Sequence, residues 1–261
     1  MRQRRVKGID EKLAGYADLI LQPDAAVAPD SAEGYAKADG LSVESVELLQ
    51  AGGFSVGAAV ASARKGPQIP EGRAVRWYQR PSPGYAVPDG FGRAYAEFGC
   101  GRGGFINAVA EADPDGLYIG IEGCKTIVIS ALAKTRAAGF QNIRYIDAFV
   151  NDASSAFGDE ALDGIFLNFS DPWPKDRHAD RRLTSLPKAS AYFSILKPGG
   201  FIKFKTDKEA FFEYSLRSLT QAGFRIVRET RDLPEGETTP SEYEQKFRAL
   251  GLPIYYIEAV K

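Results

Sequence analysis

Between residues 97 and 104 the sequence is Glu97-Phe98-Gly99-Cys100-Gly101-Arg102-Gly103-Gly104. This segment closes a short apolar run at residues 94–98 and precedes a helical pattern, so its glycines fall at a strand-to-helix turn. Gly99, Gly101 and Gly104 satisfy the spacing G-x-G-x-x-G, in which the missing side chains let the backbone approach a ligand closely. The segment therefore predicts a nucleotide-like ligand at the start of an α/β domain.

Outward from this turn, short apolar runs alternate with helical patterns. The runs occupy residues 94–98, 117–121, 143–146, 165–169, 201–205, 224–227 and 254–260. Strands that alternate with helices predict right-handed crossovers and a mainly parallel sheet, and Gly139, Gly158 and Gly223 fall where helices are expected to end. Ligands of such sheets bind beyond the carboxyl ends of the strands, so the residues directly after each run are the functional candidates.

Composition excludes several classes of protein. The chain has 261 residues, of which 44% are hydrophobic, and its 33 Lys+Arg against 34 Asp+Glu provide no overall basic field. Two cysteines, Cys100 and Cys124, cannot build a disulfide framework and indicate a reducing compartment. No segment has the length and apolarity of a membrane span or a signal peptide, so we expect a cytoplasmic protein without a membrane partner.

The composition and the periodicity of the sequence change near Phe91. Residues before it are rich in Ala, Gly, Asp and Pro with weak periodicity, whereas regular alternation begins at Ala94. We therefore expect an N-terminal extension of unknown role at residues 1–93 and a functional domain at residues 94–261.

Three acids lie at the ends of the first three runs, Glu97 inside the first and the other two directly after the second and third. Glu97, two residues before Gly99, would repel the pyrophosphate of a nicotinamide cofactor but attract the cationic amino group and sulfonium of S-adenosylmethionine. Glu122 is placed to accept hydrogen bonds from ribose hydroxyls, and Asp147 to accept one from the adenine amino group or to cap a helix. These residues favour S-adenosylmethionine, with an NAD-dependent oxidoreductase as the alternative.

The fourth run is followed by Asn168-Phe169-Ser170-Asp171-Pro172-Trp173-Pro174-Lys175-Asp176-Arg177-His178 and then Ala179-Asp180-Arg181-Arg182. Two prolines hold Asp171 and Trp173 on a rigid loop. A carboxylate beside an aromatic plane resembles the loop of enzymes that methylate bases, in which stacking holds the base and an acceptor binds its N–H edge.

Four cations, Lys175, Arg177, Arg181 and Arg182, follow this loop closely and suit phosphate groups. The alternative is a solvated loop of mixed charge, because Asp171, Asp176 and Asp180 offset most of the positive charge. His178 is the only histidine of the chain, and either a structural or a catalytic role is open to it.

With these motifs, the sequence resembles the bacterial tRNA (guanine-N7-)-methyltransferases, a class I, Rossmann-like family that uses S-adenosylmethionine. The resemblance covers about residues 94–261 and includes Thr206-Asp207 and Ser241-Glu242-Tyr243-Glu244 in addition to the proline loop. Ser241 stands where the family has Thr, and the leader of about 90 residues is longer than usual.

The resemblance implies a seven-stranded, mostly parallel sheet with helices on both faces. It also implies methyl transfer to N7 of a guanosine in tRNA (position 46 in the variable loop), with S-adenosylhomocysteine as product and no metal. The partner is tRNA, no obligate protein partner is expected, and the enzyme would be a monomer or homodimer. A catalytically silent RNA-binding relative is the second alternative.

The resemblance also assigns residues. The cofactor-binding residues are Glu97, Gly99, Gly101, Glu122, Asp147 and Asp171, and Asp171 is also the catalytic residue. The substrate-binding residues are Lys175, Asp207, Ser241, Glu242, Tyr243 and Glu244. The cations Arg177, Arg181 and Arg182 are, by their charge, the candidates for contacts to the tRNA backbone. Residues 1–7 and 73–80 would extend that surface with cations and aromatic rings, and the alternative for them is a disordered tail and a packed aromatic residue.

Overall fold

The computed structural model describes residues 8–21, 90–149 and 156–261. The strands are β1 (Arg93–Phe98), β2 (Gly116–Ile121), β3 (Ile143–Ile146), β4 (Leu162–Asn168), β5 (Leu196–Thr206), β6 (Arg225–Thr230) and β7 (Tyr255–Val260). The helices are α1 (Ile9–Ala14), α2 (Gly104–Ala112), α3 (Lys125–Ala138), α4 (Leu186–Ile195), α5 (Glu209–Gln221) and α6 (Glu242–Ala249), with a 3-10 helix at Asp176–Arg181.

The strands form one sheet in the order β3-β2-β1-β4-β5-β7-β6. Strands β1 to β5 are parallel, and β7 pairs antiparallel with both β5 and β6. The order reverses between β1 and β4, which is where ligands bind in open α/β sheets.

Alternation along β1 shows how helices cover both faces of the sheet. Ala94, Ala96 and Phe98 belong to a core that also contains side chains of α4 and α5. Tyr95 belongs to a second core on the other face, with side chains of α2 and α3. The expected seven-stranded, mostly parallel sheet with helices on both faces is therefore confirmed.

The boundaries of the apolar runs agree with the observed strand boundaries in some places and differ in others. The run at residues 143–146 coincides with β3, whereas the run at residues 165–169 starts too late and ends one residue too far, because Phe169 has a φ of 50°. Gly139, with a φ of 75°, ends α3 as expected, and Gly223 follows the end of α5. The helix expected before Gly158 falls partly outside the described residues.

Residues 8–21 pack against the β3 edge of the sheet. The backbone N–H of Leu21 donates to the carbonyl of Tyr145 (2.8 Å), whose own N–H donates to the carbonyl of Leu19 (2.7 Å). Arg136 of α3 pairs with Asp18 and lies 4.4 Å from the ring centroid of Tyr16. The basic stretches at residues 1–7 and 73–80 lie outside the described residues. Of the helices that the structure describes, none is long and apolar enough to cross a membrane.

Candidate active site

The turn between β1 and α2 is shaped by three glycines with positive φ: Gly99 (78°), Gly101 (56°) and Gly103 (75°). The N–H of Gly99 donates to the carbonyl of Ile121 (2.9 Å), which ties the turn to the end of β2. A Cβ atom on Gly101 would meet no atom within 4 Å, whereas one on Gly103 would lie 2.7 Å from the Cβ of Ala131. Gly103 therefore serves packing, and Gly101 borders open space.

Glu122 is fixed beside this turn by two backbone donors. Its Oε2 accepts from the N–H of Gly101 (3.2 Å) and its Oε1 from the N–H of Cys124 (2.8 Å). Burial raises the pKa of Glu122 above its ordinary value. Each oxygen retains a lone pair, so the carboxylate can also accept from a pair of ligand hydroxyls.

Asp147 directly follows β3, and its side chain is partly buried. Burial raises the pKa of Asp147, while Lys125, whose Nζ lies 3.9 Å from Asp147 Oδ2, opposes that shift. Since β1, β2 and β3 are parallel neighbours, their carboxyl ends bring Glu97, Glu122 and Asp147 to one edge of the sheet.

Glu97 is the most buried of these acids, with 3% of its surface exposed. Its Oε1 accepts from Asn168 Nδ2 (2.9 Å), whereas Oε2 has no hydrogen-bond partner among the described residues. Burial raises the pKa of Glu97 to about 8, against the opposing effects of the Asn168 hydrogen bond and of Lys205. A buried carboxylate oxygen without a donor is costly, and a cationic ligand group would satisfy it.

These residues fit S-adenosylmethionine. An open glycine turn, a carboxylate for ribose hydroxyls and a buried carboxylate for a cation match its ribose and its charged amino acid end. Among the described residues, no group of three or more His, Cys, Asp or Glu side chains is arranged to hold a metal ion.

The proline loop after β4 has a strained backbone. Phe169 and Trp173 have φ values of 50° and 40°, in the left-handed region that bulky side chains avoid. Trp173 also precedes Pro174, which further disfavours a helical conformation, and such residues cost on the order of 1–3 kcal/mol each. Asp171 is exposed on this loop. Strain of this kind persists only where surrounding contacts enforce it.

Arg182, which the sequence made a candidate for contacts to the tRNA backbone, supplies such contacts to the loop. Its Nε donates to the carbonyl of Pro172 (3.0 Å), and its Nη2 to the carbonyl of Trp173 (3.0 Å). Only 8% of its surface is exposed, because the chain turns inward after the 3-10 helix. Its Nε and Nη2 donors are thus directed at the carbonyls of the proline loop.

The other cations of this segment lie at the surface. Lys175, Arg177 and Arg181 are exposed, and the guanidinium carbon of Arg181 lies 4.9 Å from the ring centroid of Trp173. His178 contacts the same ring edge-on at 5.7 Å. Desolvation and the nearby arginines lower the pKa of His178, so the imidazole is neutral at pH 7 and is placed for packing.

The four expected substrate residues at the start of α6 differ in exposure, two being buried and two exposed. Ser241 caps the helix, since its hydroxyl accepts from the N–H of Glu244 (3.1 Å). Glu244 is 2% exposed and accepts from Lys205 Nζ (2.6 Å) and Arg248 Nη2 (2.8 Å). Both side chains therefore point into the protein, contrary to the expectation that they contact substrate.

Glu242 and Tyr243 remain available at the surface. Tyr243 is 57% exposed and stacks on Phe247 at 6.2 Å, which in turn contacts Phe169 at 5.5 Å. Glu242 pairs with Lys134 and lies against Gly104, where a Cβ atom would be 2.8 Å from its carboxylate. The start of α6 thus reaches from the proline loop to the glycine turn.

Asp207 follows β5 at the same edge of the sheet. Its side chain is largely buried, and its Oδ2 lies 2.5 Å from the Nζ of the neighbouring Lys208. The carboxyl ends of β4 and β5 are adjacent and parallel, so Asp207 and the proline loop belong to one end of the molecule.

Comparison with known proteins identifies the family. A family model described as "Putative methyltransferase" matches residues 92–257. The chain is 43% identical over 170 residues to the tRNA (guanine-N(7)-)-methyltransferase of Geobacillus kaustophilus, which covers 64% of this chain and 78% of that protein. The chain belongs to the tRNA (guanine-N7-)-methyltransferase family. The Bacillus subtilis member is 38% identical over 167 residues, covering 63% of this chain and 78% of that protein.

A solved structure supports the fold of the family independently. The crystal structure of the 16S rRNA methyltransferase KamB superimposes with a TM-score of 0.51, at 13% identity, over 65% of this chain and 88% of that one. At that identity the likeness concerns the fold alone. It agrees with the class I methyltransferase architecture.

Two contributors to the site were not predicted from the sequence. Asn168, which binds Glu97, is the last residue of β4 and was marked only by its position at a strand end. Lys205, which binds Glu244, is the last residue of the run at residues 201–205, where a buried lysine is unusual enough to indicate a buried partner.

Proposed function

We propose that this chain transfers a methyl group from S-adenosylmethionine to N7 of a guanosine in tRNA, at position 46 of the variable loop. The buried oxygen of Glu97, which has no hydrogen-bond partner among the described residues, supports this choice of cofactor, because a cationic amino group would satisfy it and a pyrophosphate would not. The substrate class rests on the relatives, which are named tRNA (guanine-N(7)-)-methyltransferases.

S-adenosylmethionine supplies an electrophilic methyl group on a sulfonium. In this proposal Glu97 accepts from the amino group of the cofactor, Glu122 from its ribose hydroxyls and Asp147 from its adenine amino group. Gly99 and Gly101 allow its close approach. The three carboxylates also favour a cationic ligand electrostatically.

Guanine N7 has an in-plane lone pair and carries no proton, so no general base is needed. This agrees with a His178 that packs against Trp173 and whose pKa is lowered. Catalysis then depends on alignment and on charge. Asp171 binds the guanine and stabilises the positive charge that develops on it, Asp207 faces the base from β5, and Trp173 shapes the pocket.

The exposed residues around this pocket bind the rest of the tRNA. Lys175, Arg177 and Arg181 are assigned to the tRNA backbone, and Tyr243 and Glu242 to the substrate at the start of α6. Ser241 and Glu244 act indirectly by holding that helix.

The proposal extends to the organisation of the protein. Residues 94–261 form the methyltransferase domain, and residues 8–21 of the N-terminal extension dock on it. The reaction yields S-adenosylhomocysteine without a metal. The enzyme works in the cytoplasm, where tRNA is its partner, as a monomer or homodimer without an obligate protein partner.

The test is incubation of the full chain with methyl-labelled S-adenosylmethionine and an unmodified tRNA transcript, followed by nucleoside analysis. The expected product is N7-methylguanosine, and a transcript with adenosine at position 46 should remain unlabelled. Equilibrium dialysis should show binding of S-adenosylmethionine but not of NAD. Label in a different nucleoside, or binding of NAD alone, would refute the proposal.

A further inference from the structure

The buried guanidinium of Arg182 lies between the proline loop and α5. On one side it donates to the carbonyls of Pro172 and Trp173. On the other side its guanidinium carbon lies 4.2 Å from the ring centroid of Tyr214, in the second turn of α5. The adjacent Thr184 and Ser215 hydroxyls, 2.7 Å apart, join the same two segments.

Arg182 has no carboxylate within ion-pair distance among the described residues. A buried cation needs compensation, and here it comes from two backbone carbonyls and the face of an aromatic ring. The loop carbonyls and the guanidinium therefore stabilise each other. Movement of either group would break these hydrogen bonds and leave buried polar atoms without partners.

The carbonyls concerned belong to the strained part of the loop. Trp173 has a φ of 40° between two prolines, and its carbonyl accepts from both Nε and Nη2 of Arg182. A planar guanidinium can bind two adjacent carbonyls at fixed angles, which a lysine ammonium cannot reproduce. Arg182 thus enforces the conformation that presents Asp171 and Trp173.

We propose that Arg182 is a positioning residue for methyl transfer, with Tyr214 as its support, and that it makes no phosphate contact. The expected effect on kcat rests on the proposed function, whereas the expected effect on the conformation of the loop does not. Arg182 holds Asp171-Pro172-Trp173 in the geometry that binds the guanine, and it acts on turnover through that loop.

Arg177 provides a matched control, because it is an exposed arginine on the neighbouring 3-10 helix. We expect R182K to lower the kcat of methyl transfer by about a hundredfold, as misplacement near the reacting atoms does, with the KM for tRNA little changed. The salt dependence of tRNA binding should keep its slope in R182K. In R177A that slope should decrease by about 1, since a phosphate contact is lost.

A second readout does not depend on activity. The chain has two tryptophans, so a W77F background leaves Trp173 as the only fluorophore of this kind. In the free protein, R182K should increase acrylamide quenching of Trp173, and R177A should not. This result would stand even if tRNA were not the substrate.

Tyr214 keeps the inference testable if R182K fails to fold. Y214F preserves the ring face but removes the hydroxyl that hydrogen-bonds Arg182, so quenching of Trp173 should increase less than in Y214L, which loses both contacts and should also lower kcat. The proposal is overturned if R182K reduces the salt slope as R177A does while kcat and quenching stay at wild-type values. It is equally overturned if Y214L behaves like Y214F.

Discussion

Lys205 and Glu244 form an ion pair that is almost completely withdrawn from solvent. Lys205 Nζ lies 2.6 Å from Glu244 Oε2, and the two side chains are 3% and 2% exposed. Lys205 also donates to the carbonyl of Thr239, and Arg248 binds the second carboxylate oxygen. Because Lys205 is in β5 and Glu244 is in α6, this pair fixes the helix that carries Tyr243 to the centre of the sheet.

We expect E244Q to lower the free energy of unfolding by about 3–5 kcal/mol, because it leaves a buried lysine without its counter-charge. Urea denaturation measures the change. E242Q, which removes only an exposed partner of Lys134, should cost less than about 1 kcal/mol. Equal effects of the two substitutions would contradict the structural role of Glu244.

The pKa of Glu97 predicts how stability depends on pH. Burial raises this pKa from 4.5 to about 8. Between these values the folded protein holds a proton that the unfolded chain has released, so the free energy of unfolding without ligand should fall as pH rises. E97Q should flatten this part of the pH profile in urea denaturation, whereas E111Q, which changes an exposed acid on α2, should retain it.

The same pKa predicts proton release on cofactor binding. At pH 7 Glu97 must lose its proton to pair with the amino group of S-adenosylmethionine, so affinity should increase by up to tenfold per pH unit between pH 6 and pH 8. Calorimetry in two buffers of different ionisation enthalpy measures the released proton. E97Q should bind more weakly and without release, and an unchanged release in that variant would exclude Glu97 as its source.

Asp171 should matter for turnover far more than for folding. Loss of a group that stabilises transition-state charge lowers kcat by about 10²–10³-fold, and we expect D171N to fall in that range. Because Asp171 is exposed, the melting temperature should change little. D176N is the matched control from the following 3-10 helix. A D171N enzyme with wild-type single-turnover rates would remove Asp171 from the mechanism.

Two glycines allow the loss of a ligand contact to be distinguished from the effect of backbone strain. Gly101 and Gly139 both have positive φ and open space around a hypothetical Cβ, but only Gly101 borders the expected cofactor. Alanine at either position should destabilise the fold by about 1–2 kcal/mol. We expect only G101A also to weaken binding of S-adenosylmethionine, by at least about tenfold, in dialysis corrected for the unfolded fraction.

The sequence predicts the sheet well because its strands are short, buried and separated by helices. The run at residues 165–169 shows where this fails, since Phe169 is as apolar as the strand before it but leaves the ladder in a left-handed turn. At that turn the N–H of Phe169 donates to the carbonyl of Lys205 (2.9 Å) and its ring contacts Phe247, and neither partner is near it in sequence.

The placement of Glu97, Glu122 and Asp147 at one edge of the sheet was predictable from the strand ends. Arg181 and Arg182 are indistinguishable by type and neighbourhood, and their opposite exposure arises from where the 3-10 helix ends. Ser241 and Glu244 do carry a local signal, because Ser-x-x-Glu is a helix capping pattern, and this pattern favours a structural role.

The docking of residues 19–21 beside Tyr145 has a consequence for how molecules of this protein meet one another. It occupies backbone hydrogen-bonding groups of β3 that would otherwise pair with a strand from a neighbouring chain. At the opposite margin, β6 exposes charged side chains such as Arg228 and Glu229, which discourage strand addition. Removal of the first 21 residues would therefore favour aggregation while leaving every proposed catalytic group in place.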